Sequence, residues 1–425
     1  MNEYDAARVY DTLAAQEPCV KVMAPREADL IVLITCAVRA KATEKVFSEL
    51  GRLFHYRKQN PDLMIAVGGC VAREAGELIF RRAPYVNIVF SPQTLHHLPA
   101  LVTRARQGEK KILDLEAPSL EKFSSFPPTK IKAPTAFVSI MEGCNHFCSY
   151  CIVPFTRGRE VSRPFSQILE EVQVLVAGGV HEIHLLGQNV NGYRDPETSA
   201  TLADLIHKIA LIPEVWRIRF TTSHPVAFSD ELIAAFAEPK LANHLHLPLQ
   251  SGSDRILQLM RRGYTLADYC TIVEKIRRIR PEIALSTDII VGFPGETDDD
   301  FAATLAAAQE ISYDTSFSFI YSPRPGTKAA TLPDQIPLKK AKARLEQLHE
   351  VFNSSAQQYT AKMVGKIEEV LVTDRAKLGS QLTGRTSNNK IVNFAGPISL
   401  CGQMARIKIT EALPNSLRGE LVAEN

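Results

Sequence analysis

Short apolar runs alternate with segments of helical spacing for most of the chain, and the pattern changes only near its end. "ADLIVLITC" is a continuous apolar run that predicts a buried strand ending at Cys36. The following "KATEKVFSELGRLFHYRK" places Val46, Leu50, Leu53 and Phe54 on one helical face. The unit repeats: "DLMIAVGGC" predicts a strand ending at Cys70, and "VAREAGELIF" a helix after it. Residues 1–107 therefore form an α/β domain on this reading. A stretch rich in proline, serine and lysine, "APSLEKFSSFPPTKIKAP", predicts a linker, placed at 108–129.

Between 130 and 362 six strand-like runs recur, each ending in polar or glycine-rich residues: "TAFVSIMEGC", "VHEIHLLGQNVNG", "WRIRFTTSHP", "LHLPLQSGSD", "LSTDIIVGFPGET" and "TSFSFIYSPRPGT". Helical patterns such as "SQILEEVQVLVAGG" and "TLADYCTIVEKIRRIR" separate most of them. Strand–helix alternation predicts parallel β-structure, and six units predict a partial (β/α)6 barrel. Ligands of such folds sit beyond the carboxyl ends of the strands, where the suggestive residues fall here. After the charged helical stretch "LKKAKARLEQLHEVFNSSAQQYTAKM", residues 363–425 read as short strands and turns, a small all-β domain.

The 425 residues are too many for one ordinary domain, and 45% apolar residues can build sizeable cores. A net charge of +2 neither demands nor excludes nucleic acid, so local features must carry that question. "MNEYDAARVYDTLAAQ" lacks the basic flank and apolar core of a signal peptide, and no apolar run reaches spanning length. A cytoplasmic protein without a membrane segment is expected. In that compartment clustered cysteines point to metal or redox chemistry rather than to disulfides.

Of eight cysteines, three fall in "MEGCNHFCSYC": Cys144, Cys148 and Cys151, spaced C-x3-C-x2-C just after the first barrel run. Zinc needs four ligands, and His146 lies between two of the cysteines, outside finger spacing. A redox pair would use Cys148 and Cys151 and leave Cys144 unexplained. Three thiolates suit a [4Fe–4S] cluster with one open iron, which can chelate a small molecule. S-adenosylmethionine matches that arrangement: its amino and carboxylate groups bind the open iron, and electron transfer would release a 5′-deoxyadenosyl radical.

The ordered motifs "MNEYDAARV", "TCAVRAKATEKVFSELGRL", "GGCVA", "GCNHFCSYCIVPFTRGRE", "LLGQNVN", "RFTTSHP", "LHLPLQSGSD", "IIVGFPGET" and "GRTSNNKIVNF" run nearly the whole length. Together they resemble the radical S-adenosylmethionine methylthiotransferases. The resemblance implies an N-terminal cluster domain, a radical core and a C-terminal TRAM domain. It implies that Cys144, Cys148 and Cys151 hold the cluster that cleaves S-adenosylmethionine. It also implies that Cys36 and Cys70 are two of three ligands of a second, sulfur-supplying [4Fe–4S] cluster. The implied reaction is methylthiolation at C2 of N6-isopentenyladenosine next to the anticodon of tRNA. The alternatives are another target (a threonylcarbamoyl-adenosine tRNA or a ribosomal-protein aspartate), or an iron–sulfur RNA-binding protein without sulfur insertion.

The family pattern places the third ligand in a G-C-x-M-N segment, and this chain begins at its M-N. The missing ligand is expected just before Met1, through a misassigned start or a truncation. Cys19 is a poor substitute, and Cys270 and Cys401 read as core residues. Gln188, Gln250, Ser251 and Gly292 are the candidate cofactor contacts, against the simpler reading of each as a turn or capping residue. Arg157 and His224 receive no catalytic role, and no acid–base residue is assigned. In the last domain Arg385, Lys390, Arg406 and Lys408 are candidate phosphate contacts, with Asn388 and Asn389 beside them in an exposed turn. A tRNA substrate, a one-electron reductant such as flavodoxin or ferredoxin, and a monomeric state complete the expectation.

Overall fold

The computed structural model describes residues 1–37, 40–116, 121–129, 131, 133–376 and 381–422. It divides into two compact units, the first made of residues 1–130, 141–163 and 322–330, the second of 131–140, 164–321 and 331–425. No helix among the described residues is long and apolar enough to cross a membrane.

In the first unit four parallel strands lie in chain order: β1 (Leu30–Thr35), β2 (Met64–Gly69), β3 (Ile88–Phe90) and β4 (Ile112–Asp114). Every residue of β2 is buried because helices cover both faces of the sheet. β1 is half-buried rather than buried as expected, since it forms an edge of the described sheet. On the helix Ala40–Gln59, Val46, Leu50 and Leu53 enter the core. Phe54 does not; it stays largely exposed and stacks on Tyr85, with ring centroids 4.6 Å apart.

Within the stretch expected as a linker, 108–129, lie β4 and then the short helix Glu121–Ser124, whose Lys122 and Phe123 are buried. Its composition reads as polar because lysine is solvated in most settings, whereas Lys122 has an acidic partner inside. Residues 117–120 of that stretch lie outside the described residues. The helix Asn2–Gln16 also runs against simple patterning, since it buries Asp5, Arg8, Asp11 and Thr12 alongside Tyr4 and Val9. Arg8 lies over the rings of Tyr4 and Phe126 and donates to the Pro127 carbonyl at 3.1 Å.

The second unit holds the six expected strands: β5 (Thr135–Ser139), β6 (Glu182–Leu186), β7 (Arg217–Phe220), β8 (His244–His246), β9 (Ala284–Val291) and β10 (Thr315–Ile320). They pair in parallel as β5-β6-β7 and β8-β9-β10. The two triplets join where Ile218 exchanges backbone bonds with Lys240 and Ala242, at 2.7 and 2.9 Å. Capping boxes at Thr201, Thr265 and Thr297 start three of the intervening helices. The order is that of a partial (β/α)6 barrel.

The chain then follows the helix Leu338–Ala361 into a closed five-stranded barrel. Its strands are β11 (Ile367–Arg375), β12 (Leu382–Thr386), β13 (Ile391–Phe394), β14 (Met404–Ala412) and β15 (Leu417–Leu421). Val370, Val372, Val392, Phe394, Ile407 and Ile409 fill it. Cys401, half-buried, packs against that core, and Cys270 is half-buried on its helix.

The β12–β13 turn is docked, not exposed. Glu182, at the start of β6, is fully buried and accepts from Arg217 Nη1 and Arg219 Nε, each at 2.9 Å, and from His184 at 2.5 Å. The two arginines then donate to the carbonyls of Arg385 (3.0 Å), Thr386 (2.6 Å), Ser387 (2.8 Å) and Glu369 (3.3 Å). Asn243 N–H donates to Ser387 Oγ at 2.8 Å, and Lys390 pairs with buried Asp314 at 2.5 Å. Asn388 is buried and donates to Tyr359 at 3.2 Å. Glu182, Arg217, Asn243 and Asp314 all lie at the amino ends of barrel strands. The turn therefore seats on the end opposite to Gln188, Gln250 and Gly292.

Candidate metal centres and cofactor contacts

The three-cysteine loop is held at its base by the two-residue strands Met141–Glu142 and Val161–Ser162, which pair antiparallel. Asn145 N–H donates to Glu160 Oε1 and Glu160 N–H to Asn145 Oδ1, each at 3.2 Å, and Cys144 N–H reaches the Gly158 carbonyl at 3.2 Å. Within the loop Cys151 N–H donates to the Cys148 carbonyl at 3.0 Å, and Val153 N–H to Cys151 Sγ at 3.4 Å. Cys148 is buried, and Cys144 and Cys151 are half-buried. Phe147, exposed between them, takes a left-handed conformation with φ 44°, a costly one for an aromatic residue. A constrained loop with three thiols and one exposed side fits a cluster whose fourth iron is open. An N–H already aimed at Cys151 sulfur is the kind of support such a ligand needs.

Cys36 and Cys70 are brought together by sheet register. β1 and β2 run parallel with Thr35 opposite Gly69, and each strand is followed directly by its cysteine. Thr35 Oγ1 donates to the Gly68 carbonyl at 2.6 Å and accepts from Val71 N–H at 3.2 Å, tying the two strand ends. Gly69 has φ +97°, and any side chain there would overlap the Thr35 carbonyl. The "GGC" run is thus needed for two cysteines to leave adjacent strands side by side. Two sulfur donors so placed fit part of a cluster's ligand set. Cys36 is half-buried and Cys70 buried.

Arg157, given no role from sequence, lies between the two sets. It is buried, and its Nε donates to Cys70 Sγ at 3.4 Å, Nη1 to Glu142 Oε1 at 3.1 Å and Nη2 to Asp5 Oδ2 at 2.7 Å. Lys122 pairs with the same Glu142 oxygen, and Gln93 Nε2 donates to the Arg157 carbonyl at 3.0 Å. Burial alone would raise the Asp5 carboxyl, but Arg157 and Lys122 outweigh it and hold Asp5 below its usual range. Burial works against the charge of Arg157, but Asp5, Cys70 and Glu142 together hold it firmly protonated.

Among the four candidate cofactor contacts, the structure separates two groups. Gln250 follows β8 in a left-handed conformation (φ 71°), fixed by its N–H to the Asp288 carbonyl at 2.8 Å. Its Oε1 is buried with no hydrogen-bond partner among the described residues, which is costly unless something else supplies a donor. Gln188 is half-buried beyond the end of β6. Ser251 is engaged internally: its Oγ accepts from Ser253 N–H at 3.2 Å and meets Thr304 Oγ1 at 3.3 Å. Gly292 (φ +70°) faces Ala341, whose Cβ would stand 2.7 Å from any Cβ added there, and its N–H donates to Glu296 Oε2 at 2.5 Å. Its lack of a side chain is explained by packing. His224 is structural, exchanging two 2.8 Å bonds with Asn191.

Family descriptions match three consecutive parts of the chain: "Uncharacterized protein family UPF0004" over 1–91, "Radical SAM superfamily" over 138–308 and "TRAM domain" over 361–422. The tRNA-2-methylthio-N(6)-dimethylallyladenosine synthase of Legionella pneumophila is 54% identical over 99% of this chain and 96% of its own length. The enzyme of that name from Alkalilimnicola ehrlichii is 51% identical, over 99% and 95%. The chain belongs to the radical S-adenosylmethionine methylthiotransferases.

Solved structures carry the fold further than the sequence. The radical S-adenosylmethionine methyltransferase TsrM from Kitasatospora setae superposes with a TM-score of 0.54 at 15% identity, over 71% of this chain and 66% of its own. The cobalamin-dependent radical enzyme OxsB gives 0.51 at 14%, over 78% and 47%. At those identities the likeness is one of fold. Family membership brings with it one [4Fe–4S] cluster and S-adenosylmethionine for this methylthiotransferase.

Proposed function

We propose that this enzyme methylthiolates C2 of N6-isopentenyladenosine next to the anticodon of tRNA, giving the 2-methylthio derivative. The observation that carries the reading is the pairing, in one compact unit, of the Cys144–Cys148–Cys151 loop with Cys36 and Cys70 at adjacent strand ends. Identity above 50% to synthases of that name supports the choice of nucleoside. Cys144, Cys148 and Cys151 are the proposed ligands of the radical-generating cluster, and Cys36 and Cys70 those of a second one. Bound there, the clusters and S-adenosylmethionine would supply a radical that removes the C2 hydrogen, the sulfur that replaces it and the methyl that caps the sulfur.

The chain's own part is to hold and orient. Gln250 is the strongest proposed cofactor contact, because its buried Oε1 lacks a partner among the described residues and would accept from an amino or hydroxyl donor; Gln188 is second. Ser251 and Gly292 are proposed to shape the strand ends from behind. The exposed Arg406 and Lys408 on β14 are the proposed phosphate contacts of the small barrel. A flavodoxin- or ferredoxin-like protein is the proposed electron source, and the enzyme is proposed to act as a cytoplasmic monomer.

Anaerobic reconstitution with iron and sulfide, followed by nucleoside mass spectrometry of tRNA, tests the reading. Cys148→Ala is expected to abolish 5′-deoxyadenosine formation, and Cys70→Ala to abolish the methylthio product. Persistent cleavage of S-adenosylmethionine by Cys148→Ala would overturn it, as would product appearing on a different nucleoside or on protein.

A further inference from the structure

We propose that Arg157 is a positioning residue that ties Cys70 to the three-cysteine loop and sets the reduction potential of the cluster Cys70 helps to hold. The inference rests on the reading of Cys36 and Cys70 as ligands. Arg157 lies six residues beyond Cys151, in the same hairpin, and its side chain reaches a cysteine of the other set.

Its three donors are divided in a way that only a guanidinium allows. The two terminal nitrogens are taken by carboxylates on different elements, Asp5 on the first helix and Glu142 at the base of the hairpin. Because the group is planar and its fork rigid, fixing both ends also fixes Nε, which then points at Cys70 Sγ. The arginine's carbonyl is gripped by Gln93 and its N–H bonds the Val153 carbonyl at 2.7 Å, so the backbone cannot drift. A purely adhesive ion pair would need the carboxylates but not the sulfur contact.

Hydrogen bonds to a ligating sulfur draw electron density from it and raise the potential of the cluster. The charges around the contact make the effect local. Arg157 and Lys122 are offset by Asp5 and Glu142, so the directed N–H, rather than a net positive field, remains at the sulfur.

The test uses the full chain with Cys144, Cys148 and Cys151 all changed to alanine, so that only the second cluster can form. EPR-monitored potentiometric titration and iron content are compared for that protein and for the same protein carrying Arg157→Gln, Arg157→Lys or Asp5→Asn. Arg157→Gln and Arg157→Lys are expected to lower the midpoint potential, since neither can hold both carboxylates and the sulfur together. Asp5→Asn, which loosens the fork but keeps the guanidinium, is expected to give a smaller shift in the same direction and guards against a fold defect in the other two. An unchanged midpoint in all three, with iron content retained, overturns the proposal. Absence of any cluster signal while Arg157 is intact would instead overturn the assignment of Cys36 and Cys70 as ligands.

Discussion

Glu182→Gln is the most informative single change in the second unit, because one buried carboxylate supports the docking of a whole domain. Glu182 accepts three hydrogen bonds from charged or chargeable donors, and its two arginines carry four bonds onward to carbonyls at β11 and the β12–β13 turn. Glutamine keeps the shape but offers one acceptor where there were two. Its amide N–H2 must face either Arg217 or the Arg219–His184 pair, donor against donor. Removing one partner of a buried ion pair costs about 3–5 kcal/mol, and every member of this cluster but His184 is almost fully buried, so solvent does little to soften the loss. Taking about 3 kcal/mol, the equilibrium between docked and undocked turn shifts roughly a hundredfold.

Hydrogen exchange resolved over residues 367–394 reads that equilibrium directly. Glu182→Gln is expected to lose protection there while the amides of β9 keep theirs. The defect also has a pH signature. Burial by itself would raise the Glu182 carboxyl, but His184, Arg219 and Arg217 hold it well below its usual range. A depressed folded pKa contributes stability that is fully present above the unfolded value near 4.3 and is lost only as pH falls through the folded one. The gap between wild type and Glu182→Gln should therefore be constant from pH 5 to 8. Equal protection in the two proteins would refute the account, and so would a gap that closes near pH 6.

Three further outcomes follow from the same geometry. Burial, with Arg219 next, pushes His244 down to about 3, so between there and 6.5 the unfolded chain binds a proton that the folded one does not. Stability should fall by about 2 kcal/mol between pH 7.5 and 5 on this account, a slope that denaturant titrations of His244→Asn should lack. Arg406→Glu with Lys408→Glu should weaken tRNA binding and lower the salt-dependence slope by about two, while Lys390→Met, which strips buried Asp314 of its partner, should destabilise the fold and leave that slope alone. Gln250→Ala removes a buried acceptor that has no partner among the described residues, so it should leave folding stability unchanged or raised while weakening S-adenosylmethionine binding about tenfold in equilibrium dialysis. A loss of stability with unchanged affinity would make Gln250 structural.

Strand and helix order was legible because it rests on periodicity, and apolar periods survive translation into structure. The cysteine loop was legible because its three cysteines lie within eight residues. What escaped the sequence was charge that the fold takes inside. Lys122 looked like part of a linker and Arg157 like a polar loop residue, and Asp5 drew no comment; each becomes intelligible only when the other two and Glu142 meet across the first unit. The same limit misplaced the "GRTSNNK" turn. Its basic and amide side chains are what an RNA-binding turn would carry, but Asn388 and Lys390 pair with Tyr359 and Asp314, and Arg217 and Arg219 hold the turn's carbonyls from as far as 168 residues away. A buried charge is tolerated only beside its counterpart, so each such residue implies a distant partner that local reading cannot supply. In this enzyme those pairings join the helix at Asp5 to the hairpin of the cysteine loop, and the radical core to the small barrel. Arg157, Arg217, Arg219 and Lys390 therefore position elements, while Arg406 and Lys408 alternate outward on a strand whose inward neighbours are apolar, which is why they are the proposed phosphate contacts.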